Sequence, residues 1–119
     1  MSGELTASLE SLAQRLAEFA REREWEPYHS PKNLVMALAG EAGELIEHFQ
    51  WLTEAQSRQL SDERREAVAL EMADILLYLV RLADQLHIDL LDAANRKIVL
   101  NARKYPVGQF RGSARKYDE

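Results

Sequence analysis

With 119 residues, 46 % of them hydrophobic and 29 % charged, the chain can bury one modest core and has the composition of an ordinary soluble domain. A net charge of −5 excludes the global basic field that a nucleic acid polymer calls for, and the absence of cysteine excludes disulfides, thiolate metal sites and cysteine nucleophiles. No apolar run approaches the roughly 18 residues of a membrane span and no signal-peptide pattern opens the chain, so a cytoplasmic protein without membrane or nucleic-acid partners is expected.

Few Gly and Pro and no alternating pattern predict an all-α fold. A first helix is expected from Leu5 to Arg23, with Leu9, Leu12, Leu16 and Phe19 as its apolar stripe. Trp25-Glu26-Pro27-Tyr28-His29-Ser30-Pro31 breaks it. Ser30 followed by Pro31 is a start signal, an N-cap with Pro at the first helical position, for a second helix reaching about Trp51. After a short polar piece ending near Leu60, Ser61 and Asp62 cap a third helix that runs to about Gln85. Asp89 caps a fourth, Leu90 to about Tyr105, which Pro106 limits. This gives a small four-helix bundle over residues 1–106 and a flexible basic tail over 107–119. The third helix is apolar nearly all round from Val68 to Ala83, more than three short neighbours can cover. Completion of the bundle by self-association, as a dimer or a tetramer, is therefore expected.

Four carboxylates stand against this pattern. At about 100° per residue, Leu34, Leu38, Glu41, Leu45, His48 and Leu52 fall in one stripe of the second helix, with Glu44 on its flank. On the third helix Glu71, Asp74, Tyr78 and Arg81 share a stripe. An unpaired buried carboxylate costs several kcal/mol or more, so acids persist in such places with a partner cation or a metal. Two acid pairs on facing helices can hold a hard, oxygen-seeking cation such as Mg²⁺. Gly40 and Gly43 each cost roughly 1 kcal/mol in a helix interior and point to close backbone approach. Glu63 and Glu66, among Arg64 and Arg65, read as a solvated face.

The spacing Glu41-x-x-Glu44, 26 residues, Glu71-x-x-Asp74 resembles the signature of the MazG-like all-α nucleoside triphosphate pyrophosphohydrolases. The segments Trp25 to Leu34, Gly40 to Leu45, Phe49-Gln50-Trp51, Asp74 to Leu79 and Lys104-Tyr105-Pro106 resemble the dCTP pyrophosphatase branch. The resemblance implies hydrolysis of a (d)NTP, dCTP or a modified dCTP, to the monophosphate and pyrophosphate. It implies Mg²⁺, with Mn²⁺ as a possible substitute, and dimers or tetramers. Glu41, Glu44, Glu71 and Asp74 are then metal ligands and catalytic residues. A metal-activated water would attack the α-phosphorus, and a carboxylate such as Glu44 would orient that water or take its proton.

The resemblance also nominates substrate contacts. Trp25 and Trp51 offer faces for the base or sugar. His29 matches a nucleotide-contacting His, and Tyr78 follows Asp74 by one turn. Lys97, Asn101 and Lys104, at helical spacing, with Tyr105, resemble a terminal basic pattern that meets the phosphates. Arg81 is expected to pair with an acid or with solvent, His48 to be a satisfied helix residue and His87 to be structural. Leu16 departs from the branch, whose eukaryotic members carry a His there, and the Leu52–Ser61 connection is shorter than theirs. Both differences bear on base preference. The alternatives are a MazG-like hydrolase of broader specificity and a non-enzymatic helical module whose acids are ion-paired.

Overall fold

The computed structural model describes residues 7–118, and among these no strand forms. Six helices follow in order: α1 (Leu9–Glu22), α2 (Pro31–Glu47), α3 (Glu54–Ser57), α4 (Asp62–Gln85), α5 (Leu90–Lys104) and α6 (Val107–Phe110), with a 3-10 turn at Glu26–Tyr28. The expected start at Leu5 lies outside the described residues. Within them α1 opens at a capping box: the Ser8 hydroxyl accepts from the Ser11 amide, and the Ser11 hydroxyl accepts from the Ser8 amide. Ser30, Thr53, Ser61 and Asp89 cap the later helices through their side-chain oxygens, with Pro31 at the first position of α2.

α2 stops at Glu47, one turn short of the expected Trp51. The amides of His48 and Phe49 donate to Leu45 and Ile46, three residues back, and Leu52 donates to Phe49 in the same way, so the chain tightens and turns. α1 ends in a left-handed residue that is not glycine. Glu24 has φ 54°, its amide donates to the Arg21 carbonyl, and the Trp25 amide donates to the Ala20 carbonyl. His87, at φ 56°, plays the same part after α4.

The chain divides into two compact units, one ending at His87 and one beginning at Ile88. In the first, α4 packs chiefly on α2 and to a lesser extent on α1. The core is thin: among the described residues Ala20, Leu34, Val68, Val80 and Ala83 are its buried apolar members, and Leu34 alone of them is a large side chain removed almost entirely from solvent. α1 and α2 leave part of α4 uncovered, as its all-round apolar pattern leads one to expect of a single chain: Leu70, Met72 and Leu76 stay exposed, as do Val35, Met36 and Ile46 on α2. Gly40 and Gly43 depart from expectation. A β-carbon at either would meet open space, so among the described residues no neighbouring element approaches them closely.

In the second unit, α6 lies beyond the expected helices. The Tyr105 ring meets Phe110 at 4.9 Å and Tyr117 at 6.0 Å, both edge-on. Arg115 covers Phe110, and the Lys104 ammonium stands 4.9 Å from the Tyr117 ring centre.

Candidate functional site

The α2–α4 contact brings three of the four acids together. Glu41, Glu44 and Glu71 each offer an oxygen, and these atoms lie within 4.8 Å of one another. Glu41 Oε2 and Glu71 Oε2 are buried and accept no hydrogen bond. Three carboxylates so close repel one another unless a proton or a cation lies among them. Glu41 is where a proton is favoured: the Glu44 and Glu71 carboxylates set against it, then desolvation, then the charges of Glu44 and Asp74, push its pKa up to about 7. An all-carboxylate donor set with two orphaned oxygens fits a hard divalent cation. Asp74, exposed and one turn beyond Glu71 on α4, stands outside this trio and acts on it through its charge.

Beside the trio lies a cavity of about 740 Å³, its wall including Glu44, Glu71, His48, Glu63 and Arg64. Arg64 Nη1 donates to the His48 carbonyl at 2.7 Å, tying the start of α4 to the end of α2. Glu63 and Arg64 are exposed, as expected of a solvated face, and also border the acids. The signal was in the spacing: Arg64, Ala67 and Glu71 recur at helical period on one side of α4.

A second cluster gathers at the turn between α1 and α2. The Trp25 ring meets Phe19 edge-on at 5.8 Å and His29 at 6.3 Å, and Arg23 covers the other ring of the row, 3.5 Å from the Phe19 centre. Arg81 Nε donates to His29 Nδ1 at 3.2 Å, and Gln85 Nε2 donates to the His29 carbonyl, also at 3.2 Å. Burial, then the Arg81 charge, hold His29 below the ordinary histidine range. Arg81 does pair with an acid, Asp84 Oδ2 at 3.3 Å, but it is buried and its second partner is His29.

Tyr78 is half-buried on α4, whereas Trp51 stands 86 % exposed at the turn after α2. Lys97, Asn101 and Lys104 are exposed along α5 and Tyr105 half-buried at its end, all in the second unit.

An all-helical unit whose facing helices concentrate carboxylate oxygens around two orphaned acceptors has a donor set that could hold a metal ion. Residues 37–119, which include both acid pairs, match the MazG-like family. Over 114 residues the chain is 46 % identical to dCTP pyrophosphatase 1 of Rattus norvegicus and to that of Homo sapiens, covering 94 % of this chain and 67 % of each relative. The crystal structure of a pyrophosphatase from Archaeoglobus fulgidus is similar with a TM-score of 0.78 at 38 % identity, over 87 % of this chain and 96 % of that one. The chain belongs to the MazG-like family.

Proposed function

We infer that the chain is a nucleoside triphosphate pyrophosphohydrolase acting on dCTP: water adds at the α-phosphorus, the bond from that atom to the α–β bridging oxygen breaks, and dCMP and pyrophosphate leave. The observation that carries this is the convergence of Glu41, Glu44 and Glu71 with two unpartnered buried oxygens, in a chain 46 % identical to named dCTP pyrophosphatases.

Mg²⁺ is the proposed cation, with Mn²⁺ as substitute, held by Glu41, Glu44 and Glu71, with Asp74 as the fourth acid. When bound it would supply charge for the phosphates and a lowered water pKa. Trp51 and Trp25 offer faces to the base, and His29 and Tyr78 offer polar atoms to the nucleotide. Lys97, Asn101, Lys104 and Tyr105 are proposed phosphate contacts on the strength of their spacing and type. The exposed apolar residues of α2 and α4 support self-association.

The test is product analysis after incubation with Mg²⁺ and a panel of nucleoside triphosphates, dCTP and its 5-modified forms included. Monophosphate plus pyrophosphate, with dCTP preferred, is the expected result. Orthophosphate plus diphosphate would refute the reaction class, and preference for another base would replace the substrate.

A further inference from the structure

Arg81 is the one charged side chain that the fold buries among the described residues, at 6 % exposure. A guanidinium out of water costs several kcal/mol unless its donors are engaged. One goes to Asp84, on the same helix. Another, Nε–H, goes to the Nδ1 of His29, on the far side of the loop. Gln85, one turn further along α4, holds the His29 carbonyl, so this helix grips the residue by both ring and backbone.

The ring bond fixes chemistry as well as place. A guanidinium has donors only and keeps its proton at any working pH. Nδ1 must therefore present a lone pair. The imidazolium, or the tautomer with the proton on Nδ1, would set one N–H against another. What remains is the neutral ring with its proton on Nε2, a hydrogen-bond donor without charge. Burial and then the Arg81 charge, which lower the pKa of His29, favour the neutral ring as well.

We propose that Arg81 is a positioning residue, which holds His29 as the neutral Nε2–H tautomer so that this N–H, beside the Trp25 ring, donates to an uncharged acceptor on the nucleoside part of the substrate. This rests on the nucleotide reading of the preceding subsection. A phosphate would be better met by a cation, whereas a neutral donor next to an indole 6.3 Å away suits the carbonyl oxygen or ring nitrogen of a pyrimidine. Arg81 itself, turned to Asp84 and His29, acts through the ring it orients.

The test joins spectra with kinetics. Long-range proton–nitrogen NMR of the histidine rings in the full chain should show His29 with Nδ1 bare and Nε2 protonated at neutral pH. Arg81→Met should turn this into a mixture of tautomers. Arg81→Met and His29→Ala should each raise the KM for dCTP about tenfold, the scale of one hydrogen bond, with kcat within about twofold. The double variant should lose no more than either single one. Where Arg81→Met fails to fold, Arg81→Lys keeps a buried cation while withdrawing Nε–H, and the same shifts are expected. Wild-type His29 protonated on Nδ1, spectra unmoved by the Arg81 variants, or additive losses in the double variant would each overturn the positioning role. The spectra need no turnover. Expected spectra with unchanged KM would overturn the nucleoside contact, and expected spectra in a protein that binds no nucleotide would overturn the reading beneath it.

Discussion

Glu41 and Glu71 meet across the α2–α4 contact, each with one buried oxygen that accepts nothing, and Glu44 brings a third carboxylate to the same point. Like charges are held there by the packing of two helices, so a cation should be welcome. Mg²⁺ should raise the melting temperature, and Glu71→Gln should abolish that rise. Turnover in Glu71→Gln should fall at least about a hundredfold, since even the partners of metal ligands are worth 10–100-fold. Without metal the variant should melt no lower than the parent, because an amide N–H gives its neighbours a donor. Circular dichroism should show unchanged helix content. Asp74→Asn tests the fourth acid separately, and full activity there would remove it from the site.

Glu41 makes the same cluster pH-dependent. Its folded pKa, about 7, lies above the ordinary 4.5, so the fold favours the protonated form. In the metal-free protein that contribution to stability is full below 4.5 and is lost as pH rises through about 7. A cation must displace this proton. Its apparent affinity should climb as pH approaches about 7 and level off above. Thermal shifts by Mg²⁺ at pH values on either side of 7 check this, and Glu41→Gln should flatten both the metal-free stability profile and the metal response.

What could be read from the chain follows from the range of the forces involved. Helix starts at Ser30, Ser61 and Asp89 were legible because a cap is chemistry between residues three apart. The acids were legible because their stripes put charge where apolar surface belongs. The pairing of Arg81 with His29 was not, because it joins a loop to the far end of α4 and nothing local marks either partner. The bare surface of α4, like the acids, was legible from the pattern of its faces. An all-round apolar pattern says that surface wants cover, and Leu70, Met72 and Leu76 show that a single chain does not provide it. Glu24 hid another turn, since a left-handed cap usually announces itself with glycine.

Trp51 separates substrate contact from packing in a way few residues here can. At 86 % exposure it contributes little to the first unit, so Trp51→Ala should change stability by no more than about 0.5 kcal/mol. Stacking a base on an aromatic ring is worth about 1–3 kcal/mol, so the same variant should raise the KM for dCTP by about tenfold or more. Unchanged KM and kcat would return the residue to the surface, and a large loss of stability would assign it to an interface between copies.

Glu24 offers the converse, a change that should strengthen the fold and leave chemistry alone. Its φ of 54° sits where a side chain costs about 1–2 kcal/mol, and glycine enters freely while giving some of that back as chain entropy. Glu24→Gly should therefore stabilise by about 1 kcal/mol, a rise of about 4 °C in Tm for a chain of this size. The turn it relaxes delivers Trp25 and, through the 3-10 turn, His29. If kcat and KM stay at parental values while Tm rises, the left-handed residue serves only the turn. A raised KM with a raised Tm would mean that the strain at Glu24 helps to place the Trp25 and His29 rings.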